Sequence, residues 1–268
     1  MDAITSRQNA VVKRFRALAR TVPIIDGEIL LDGEHLVEEA LAADVAIDVA
    51  AFAQPQLSRS PQLRELARRV AAAGSRVAVA PDHVFDAMAP VRQPSGVVAI
   101  ARANLVTLGA ALQAPKPLVL VVAGVQDPGN VGAIIRSAAA FGATAVVATE
   151  GSANPFGWKA LRGAMGATFR IPVVAAAALD DVIASAREGK IALVATVPRG
   201  GTMLPDARLD DGCAVVVGGE GAGLPDAVIA AARDQITIPT RGRVESLNVA
   251  IAAALVLYEA SRQRAERP

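Results

Sequence analysis

Ala214-Val-Val-Val-Gly218-Gly219-Glu220-Gly-Ala-Gly-Leu-Pro225 is a continuous apolar run that stops at four glycines within six residues, with one carboxylate set among them. An uninterrupted apolar strand is one covered on both faces. Glycines at its end let another backbone or a ligand come close. Further on, Ile236-Thr-Ile238-Pro239 predicts a short strand, a basic turn follows, and a helix is expected to open at Ser246, whose hydroxyl can cap the first-turn N–H groups. Leu247, Ala250, Ile251, Ala254, Leu255 and Tyr258 form its apolar stripe, and Val249, Ala252, Ala253 and Val256 leave the opposite face almost as apolar. A helix apolar all round is expected to be buried. Asn248, at the mouth of that helix, then needs a hydrogen-bonding partner or a ligand.

The same kind of strand recurs at residues 118–123, 145–148, 191–195 and 214–217, with a shorter one at 236–238. Continuously apolar strands alternating with helices predict a parallel sheet. After the first of them, Gln126-Asp127-Pro128-Gly129-Asn130 leads into a helix expected over 131–141 and stopped by Gly142. Val131, Ile134, Ile135, Ala138 and Phe141 make its core stripe. The other face holds Gly132, Ala133, Arg136, Ser137 and Ala140, so one guanidinium stands among small residues where a substrate can approach it.

Upstream, Pro115 and Pro117 close a stretch, 104–117, that reads as a linker. Residues 1–103 form a smaller α/β unit: a helix over 4–20, strands at 29–31, 45–52, 77–80 and 97–101, and helices at 34–42 and 61–73. The domain reading is therefore 1–103, a linker at 104–117, and 118–268. Arg7, Lys13, Arg14, Arg16 and Arg20 face Asp2 alone in the first twenty residues. That cluster reads either as a solvated helix face or as a contact with phosphates.

A formal charge of +1 over 268 residues excludes neither nucleic acid nor small-molecule partners. A single cysteine, Cys213, rules out an internal disulfide framework and fits a reducing, cytoplasmic compartment. It reads as a small buried residue. The charged amino terminus is unlike a signal peptide, and the longest apolar run, 246–258, is too short to span a bilayer. His35, His83 and Cys213 are too few and too scattered for a zinc site, so no metal is expected.

Three segments, taken together and in order, carry a resemblance. Asp127-Pro-Gly-Asn130-Val-Gly-Ala-Ile-Ile-Arg136-Ser-Ala-Ala-Ala-Phe-Gly, Val217-Gly-Gly-Glu220-Gly-Ala-Gly-Leu, and Ile238-Pro followed by Glu245-Ser246-Leu247-Asn248-Val-Ala resemble the three motifs of the SpoU/TrmH family (SPOUT superfamily) of RNA ribose 2′-O-methyltransferases. The likeness covers residues 118–264. Ile4-Thr-Ser-Arg-Gln-Asn9 with Lys13, and Leu31-Asp-Gly-Glu-His-Leu-Val-Glu-Glu-Ala40, look like the RNA-substrate-binding domain of many members, similar to the ribosomal-protein L30 fold. Asp32 stands where relatives often have Glu and Ala164 where many have Ser, departures that bear on the RNA target rather than on methyl transfer.

The resemblance implies an α/β fold whose carboxy-terminal parallel-sheet SPOUT domain is threaded into a trefoil knot, a homodimer, and S-adenosylmethionine held in the knot. Carried over position by position, Gly218, Ile238 and Leu247 would hold the cofactor through backbone atoms, with Thr196 and Gly219 nearby. Asn130, Arg136, Glu220, Ser246 and Asn248 would line the reaction site, and Arg7, Lys13, Arg14 and Arg16 would meet RNA. The substrate implied is structured RNA, with large-subunit ribosomal RNA favoured over transfer RNA.

Transfer from a sulfonium to a ribose hydroxyl is an in-line displacement, so alignment and stabilisation of the attacking oxygen supply most of the gain. Guanidinium is always protonated in proteins, which makes Arg136 a phosphate and alkoxide binder rather than a base. Glu220 either orients that arginine or a cofactor amine, or merely orders the glycine loop. Asn130 and Asn248 either take part directly or fix loops through backbone hydrogen bonds. A dinucleotide site is disfavoured because the glycines come late and lack the G-x-G-x-x-G spacing. A serine hydrolase is disfavoured for want of G-x-S-x-G. The rival of another class is an RNA- or ribosome-binding protein that keeps the fold without turnover.

Overall fold

The structure is a computed structural model that describes residues 1–20, 27–219, 223–241 and 246–266. It divides into two compact units. The first contains Met1–Asn104 and also Phe156–Phe169; the second contains Leu105–Pro155 and Arg170–Pro268.

In the first unit β1 (Asp2–Ala3), α1 (Ala10–Arg20), β2 (Glu28–Asp32), α2 (Glu34–Ala42), β3 (Ile47–Ala53), α3 (Gln54–Arg59), α4 (Pro61–Ala72), β4 (Arg76–Ala80), α5 (Asp82–Phe85) and β5 (Val97–Arg102) follow one another. The sheet order is β1-β4-β3-β5-β2, with β5 antiparallel to both of its neighbours. The helix expected from residue 4 begins only at Ala10, because the Asn9 side chain accepts from Val11 N and starts the turn there. The hydroxyl of Ser60 caps α4 by accepting from Leu63 N, with Pro61 at the first helical position. The apolar face of α1, Val11, Val12 and Phe15, packs on Leu30, Val49, Ala78 and Ile100.

The second unit opens with α6 (Leu108–Ala111), capped by Thr107, inside the stretch that reads as a linker. Ala111 is buried in the unit's core, so this stretch packs as structure. Then come β6 (Leu118–Ala123), α7 (Pro128–Ala140) and β7 (Ala145–Thr149), followed by α8 (Trp158–Ala164), which belongs to the first unit. After it run β8 (Val173–Ala177), α9 (Leu179–Glu188), β9 (Ala192–Thr196), β10 (Thr202–Met203), β11 (Cys213–Gly218), α10 (Asp226–Ala231), β12 (Asp234–Thr237) and α11 (Val249–Glu266). Among the described residues all pairings in this sheet are parallel, in the order β10-β12-β9-β11-β6-β7-β8.

Alternation along the strands assigns the two faces. Val119, Val121, Ala145, Val147, Ala214 and Val216 share a cluster with Val182 of α9 and Val228 of α10. The intervening residues turn to the opposite face, where α7 and α11 pack on each other and on β7 and β11.

Two expectations about α11 are corrected. It begins at Val249, because Asn248 and not Ser246 supplies the cap: Asn248 Oδ1 accepts from Ala250 N at 2.9 Å and from Ile251 N at 3.4 Å. Nor is it buried all round, since Ile251, Leu255 and Tyr258 are 54%, 40% and 56% exposed. Val249, Ala253, Val256, Leu257 and Ala260 are the residues it buries.

Candidate active site

The carboxyl ends of the parallel strands bring the motif segments together. In open α/β sheets ligands bind there, near the point where strand order reverses. Here β6 leads to β7 and β8 on one side, while β11 lies on its other side.

The ladder between β9 and β11 stops at Ala195 and Val216, whereas β11 continues beside β6 to Gly218. Past that point β9 keeps β12 as its neighbour, with Thr196 opposite Ile236 and Val197 N donating to Ile236 O. The two central strands therefore part at their ends. Thr196 stands in the fork, and its hydroxyl donates to Val216 O at 2.9 Å, which satisfies a carbonyl past the end of that ladder. Gly218 forms one prong, and half-buried Ile238 follows β12 on the other side. Leu247, also half-buried, comes just before α11.

The glycines of the loop meet a backbone need. A Cβ on Gly219 would lie 2.1 Å from Gly124 O, and one on Gly218 would lie 2.7 Å from the Gly223 carbonyl carbon. Gly219 and Gly223 also form an antiparallel bridge, so the loop closes on itself next to the turn after β6. Glu220, between them, lies outside the described residues.

The first and third motifs meet directly. Asn248 Nδ2 donates to Asn130 Oδ1 at 3.2 Å, while Asn248 Oδ1 caps α11. Asn130 is itself set by Asp127, whose carboxylate accepts from Asn130 N at 2.8 Å and caps α7 with Pro128 at the helix start. That cap starts α7 ahead of the expected residue 131. Two helices thus begin face to face, each capped by a side chain, with an amide clasp between them.

Arg136 is exposed on α7 and has no hydrogen-bond or ion-pair partner among the described residues. It is therefore available to an anionic ligand. Ser246 is exposed too. The basic residues of the first unit are not equivalent. Arg14 is held between Glu28 and Asp48 at 2.5 and 2.6 Å, and the two carboxylates push its pKa up. Arg7 Nε donates to His83 O, whereas Lys13 and Arg16 are exposed.

A cleft of about 560 Å³ lies along the same edge, between the turns after β6 and β7, the start of α9 and the glycine loop. Gln126, Asp127, Thr149, Glu150, Leu179 and Pro225 are among its walls. The sequence reading did not single out Gln126, Thr149 or Glu150 for this site. Their signal was position alone: Thr149 and Glu150 end a continuously apolar strand, the place where parallel sheets take ligands.

Comparison with known proteins agrees with this geometry. Residues 117–258 match the model of the SpoU rRNA Methylase family, and residues 30–105 match that of RNA 2′-O ribose methyltransferase substrate binding. This chain belongs to the SpoU rRNA methylase family. It is 34% identical to an uncharacterized tRNA/rRNA methyltransferase of Synechocystis, over 98% of this chain and 94% of that one. A Bacillus subtilis relative named 23S rRNA (guanosine(2553)-2′-O)-methyltransferase is 32% identical, over 96% of this chain and 98% of its own length. The crystal structure of an AdoMet-bound rRNA methyltransferase from Sinorhizobium meliloti superposes with a TM-score of 0.85 at 29% identity, covering 97% of each chain. Members of this family are RNA 2′-O-methyltransferases, and the α/β architecture with an all-parallel second sheet is theirs. Among the described residues no group of acidic, histidine or cysteine side chains could hold a metal, and no helix is long and apolar enough to cross a membrane.

Proposed function

We propose that this protein binds S-adenosylmethionine in the fork between β9 and β11 and methylates a ribose 2′-hydroxyl of ribosomal RNA, that of the large subunit rather than a transfer RNA. The observation that carries the reading is the Asn248–Asn130 hydrogen bond, which joins two motifs 118 residues apart into one site. The diverging strands suit the cofactor, since Val217 and Gly218 extend past β9 with backbone groups and no bulky side chain at the tip. Thr196, Gly218, Gly219, Ile238 and Leu247 would hold it. S-adenosylmethionine supplies a methyl group already activated on a sulfonium.

The chain's own residues then have to place and polarise the ribose. Arg136, unengaged and exposed, binds the phosphate next to the target nucleotide and stabilises the negative charge that grows on the 2′-oxygen. The proton of the 2′-hydroxyl leaves to phosphate or solvent, because a guanidinium cannot accept it. Asn130 and Asn248 fix the openings of α7 and α11, and Ser246 lies within reach of the same mouth. Glu220 keeps its proposed role beside Arg136.

The first unit serves RNA binding, with Lys13, Arg16 and Arg7 offering charge to phosphates and Arg14 bracing α1 against β2 and β3. A second copy of the chain covers the strip formed by Ile251, Leu255 and Tyr258, which recur along one side of α11 and continue into Phe141 through an edge-on ring contact at 5.8 Å. Light scattering should give the mass of a dimer. A monomer at micromolar concentration would remove that part of the reading. A knot formed by the carboxy-terminal segment belongs to the same proposal.

The test is calorimetry with S-adenosylmethionine, followed by mapping of ribose methylation across total RNA from cells with and without the gene. Saturable cofactor binding and loss of one ribosomal-RNA methylation are expected. No cofactor binding would favour an RNA-binding protein without turnover, and loss of a transfer-RNA site would move the substrate.

A further inference from the structure

Resting on that reading, we infer that the cleft beside Asp127 takes the base of the target nucleotide, that the base is guanine, and that Glu150 reads it with Gln126. The inference starts from which polar groups in the cleft are already committed. The Asp127 carboxylate caps α7 by accepting from Asn130 N at 2.8 Å. The Thr149 hydroxyl, in a residue that is 4% exposed, donates to Glu150 O at 3.1 Å. Glu150 N is also spent, donating to Ala177 O at 2.9 Å, which pins the backbone at the position whose side chain faces the cleft. The side chains of Gln126 and Glu150 have no partner among the described residues. The uncommitted groups are thus one carboxylate, which only accepts, and one amide, which can donate.

Guanine is the base whose Watson–Crick edge presents two adjacent donors, N1–H and the N2 amino group, beside one acceptor, O6. A carboxylate accepts from both donors at once, and the Gln126 amide donates to O6. Adenine and cytosine each offer one donor next to an acceptor, and uracil a single donor between two acceptors, so each leaves a carboxylate oxygen facing an acceptor or solvent. Leu179 and Pro225 give the cleft apolar walls against which a ring can lie. Sequence-specific RNA recognition works on unstacked bases held in this way. Asp127 ties the cleft to the reaction site, because the carboxylate in its wall is the one that sets Asn130 and hence the clasp with Asn248. A base seated there puts its own ribose at the mouth of α7.

The experiment uses the full chain, labelled S-adenosylmethionine and a 23S rRNA transcript, with nucleoside analysis of the product and a second transcript carrying inosine at the methylated position. The wild-type product should be 2′-O-methylguanosine. Inosine lacks the N2 amino group, so the wild type should lose about tenfold in kcat/KM on it. Glu150→Ala and Glu150→Gln should lose about ten- to a hundredfold on the guanosine transcript and be nearly indifferent to inosine, with cofactor affinity unchanged as the check on folding. A wild-type product on another nucleoside, or Glu150 variants that still discriminate inosine as the wild type does, would overturn the base assignment and leave methyl transfer intact. Absence of any 2′-O-methylation of ribosomal or transfer RNA would instead remove the reading of function and this inference with it.

Discussion

The two ends of the second unit's sheet treat their polar groups in opposite ways. At the amino end Arg264 donates to the carbonyls of Leu209 (2.9 Å), Lys116 (2.7 Å), Pro117 (3.2 Å) and Asp211, and lies 3.8 Å from Cys213 Sγ. Gln263 beside it donates to Ala207 O and accepts from Leu209 N, both at 2.8 Å. Loop carbonyls there are gathered by side chains from the last turns of α11. At the carboxyl end strands part, glycines replace side chains, and Arg136, Gln126 and Glu150 have no partner among the described residues. One end is finished by the chain itself, while the other leaves charges that a ligand can complete. Stability and chemistry are therefore separable by mutation.

The largest effect expected is at the open end. Arg136→Ala should lower single-turnover methylation by roughly a hundred- to a thousandfold, the range seen for loss of a preorganised charge donor. Cofactor affinity and thermal stability should not move. Arg136→Lys should recover little, because it keeps the charge and loses the planar fork. Near wild-type turnover in the alanine variant would shift the chemistry to other residues of the mouth.

At the closed end Arg264→Ala should cost about 2–3 kcal/mol in denaturant unfolding, since several carbonyls lose a charged donor together. Trp158 is the single tryptophan and packs on the core of the first unit, so its fluorescence reports that unit. Circular dichroism should shift in this variant more than Trp158 emission does. Equal shifts would mean that the amino end of the sheet is not a local lock.

Asn248→Ala sits on the boundary of the contrast. Loss of the α11 cap should cost about 1 kcal/mol, and loss of the clasp to Asn130 should lower turnover as well. Asn248→Asp keeps the cap acceptor and loses the amide donor, so it should restore most of the stability and little of the activity. If both properties return together, the clasp has no part in catalysis.

The smallest effect lies in the first unit. Burial holds the Asp32 carboxyl above the ordinary carboxylate range, against the pull of Arg162 at 3.3 Å. The folded unit therefore favours the protonated acid. The stability this group contributes is present below its unfolded pKa of about 3.9 and is lost as pH rises through the folded value. Asp32→Asn should remove that dependence, making the Trp158-detected transition flatter between acidic and neutral pH. An unchanged slope would show that Arg162 fully compensates the buried charge.

Sequence made some elements plain and others invisible for physical reasons. Leu118–Ala123 and Glu34–Ala42 are found with their expected bounds, because a strand covered on both faces and a helix with one apolar stripe leave unambiguous patterns. Val173–Ala177 was missed: its alanines fit helix and strand alike, and its last three residues are only partly buried or exposed. The α3 helix, Gln-Pro-Gln-Leu-Ser-Arg, buries no residue and so carries no periodic signal. In α11 the apolar content was read correctly but not its direction, since nothing local tells a face that meets the sheet from one that meets solvent. Of the site, Asn130, Asn248 and Arg136 were legible through their motifs. Gln126 and Glu150 were not, because a cleft between three loops has no sequence period at all.

The helix that carries Trp158 has a consequence for how the protein is made. Residues 156–169 complete the first unit but are encoded after β6, α7 and β7 of the second. Trp158 Nε1 donates to Ala19 O at 3.3 Å, and Ala160, Leu161 and Ala164 are buried in that unit. During synthesis the amino-terminal unit therefore cannot close when residue 104 emerges. It must wait with part of its apolar surface uncovered until residue 169 has left the ribosome, by which time the second unit is half translated. The two units are thus braided in the order of their synthesis, and a cut anywhere between 104 and 155 would separate the first from a piece of its own core.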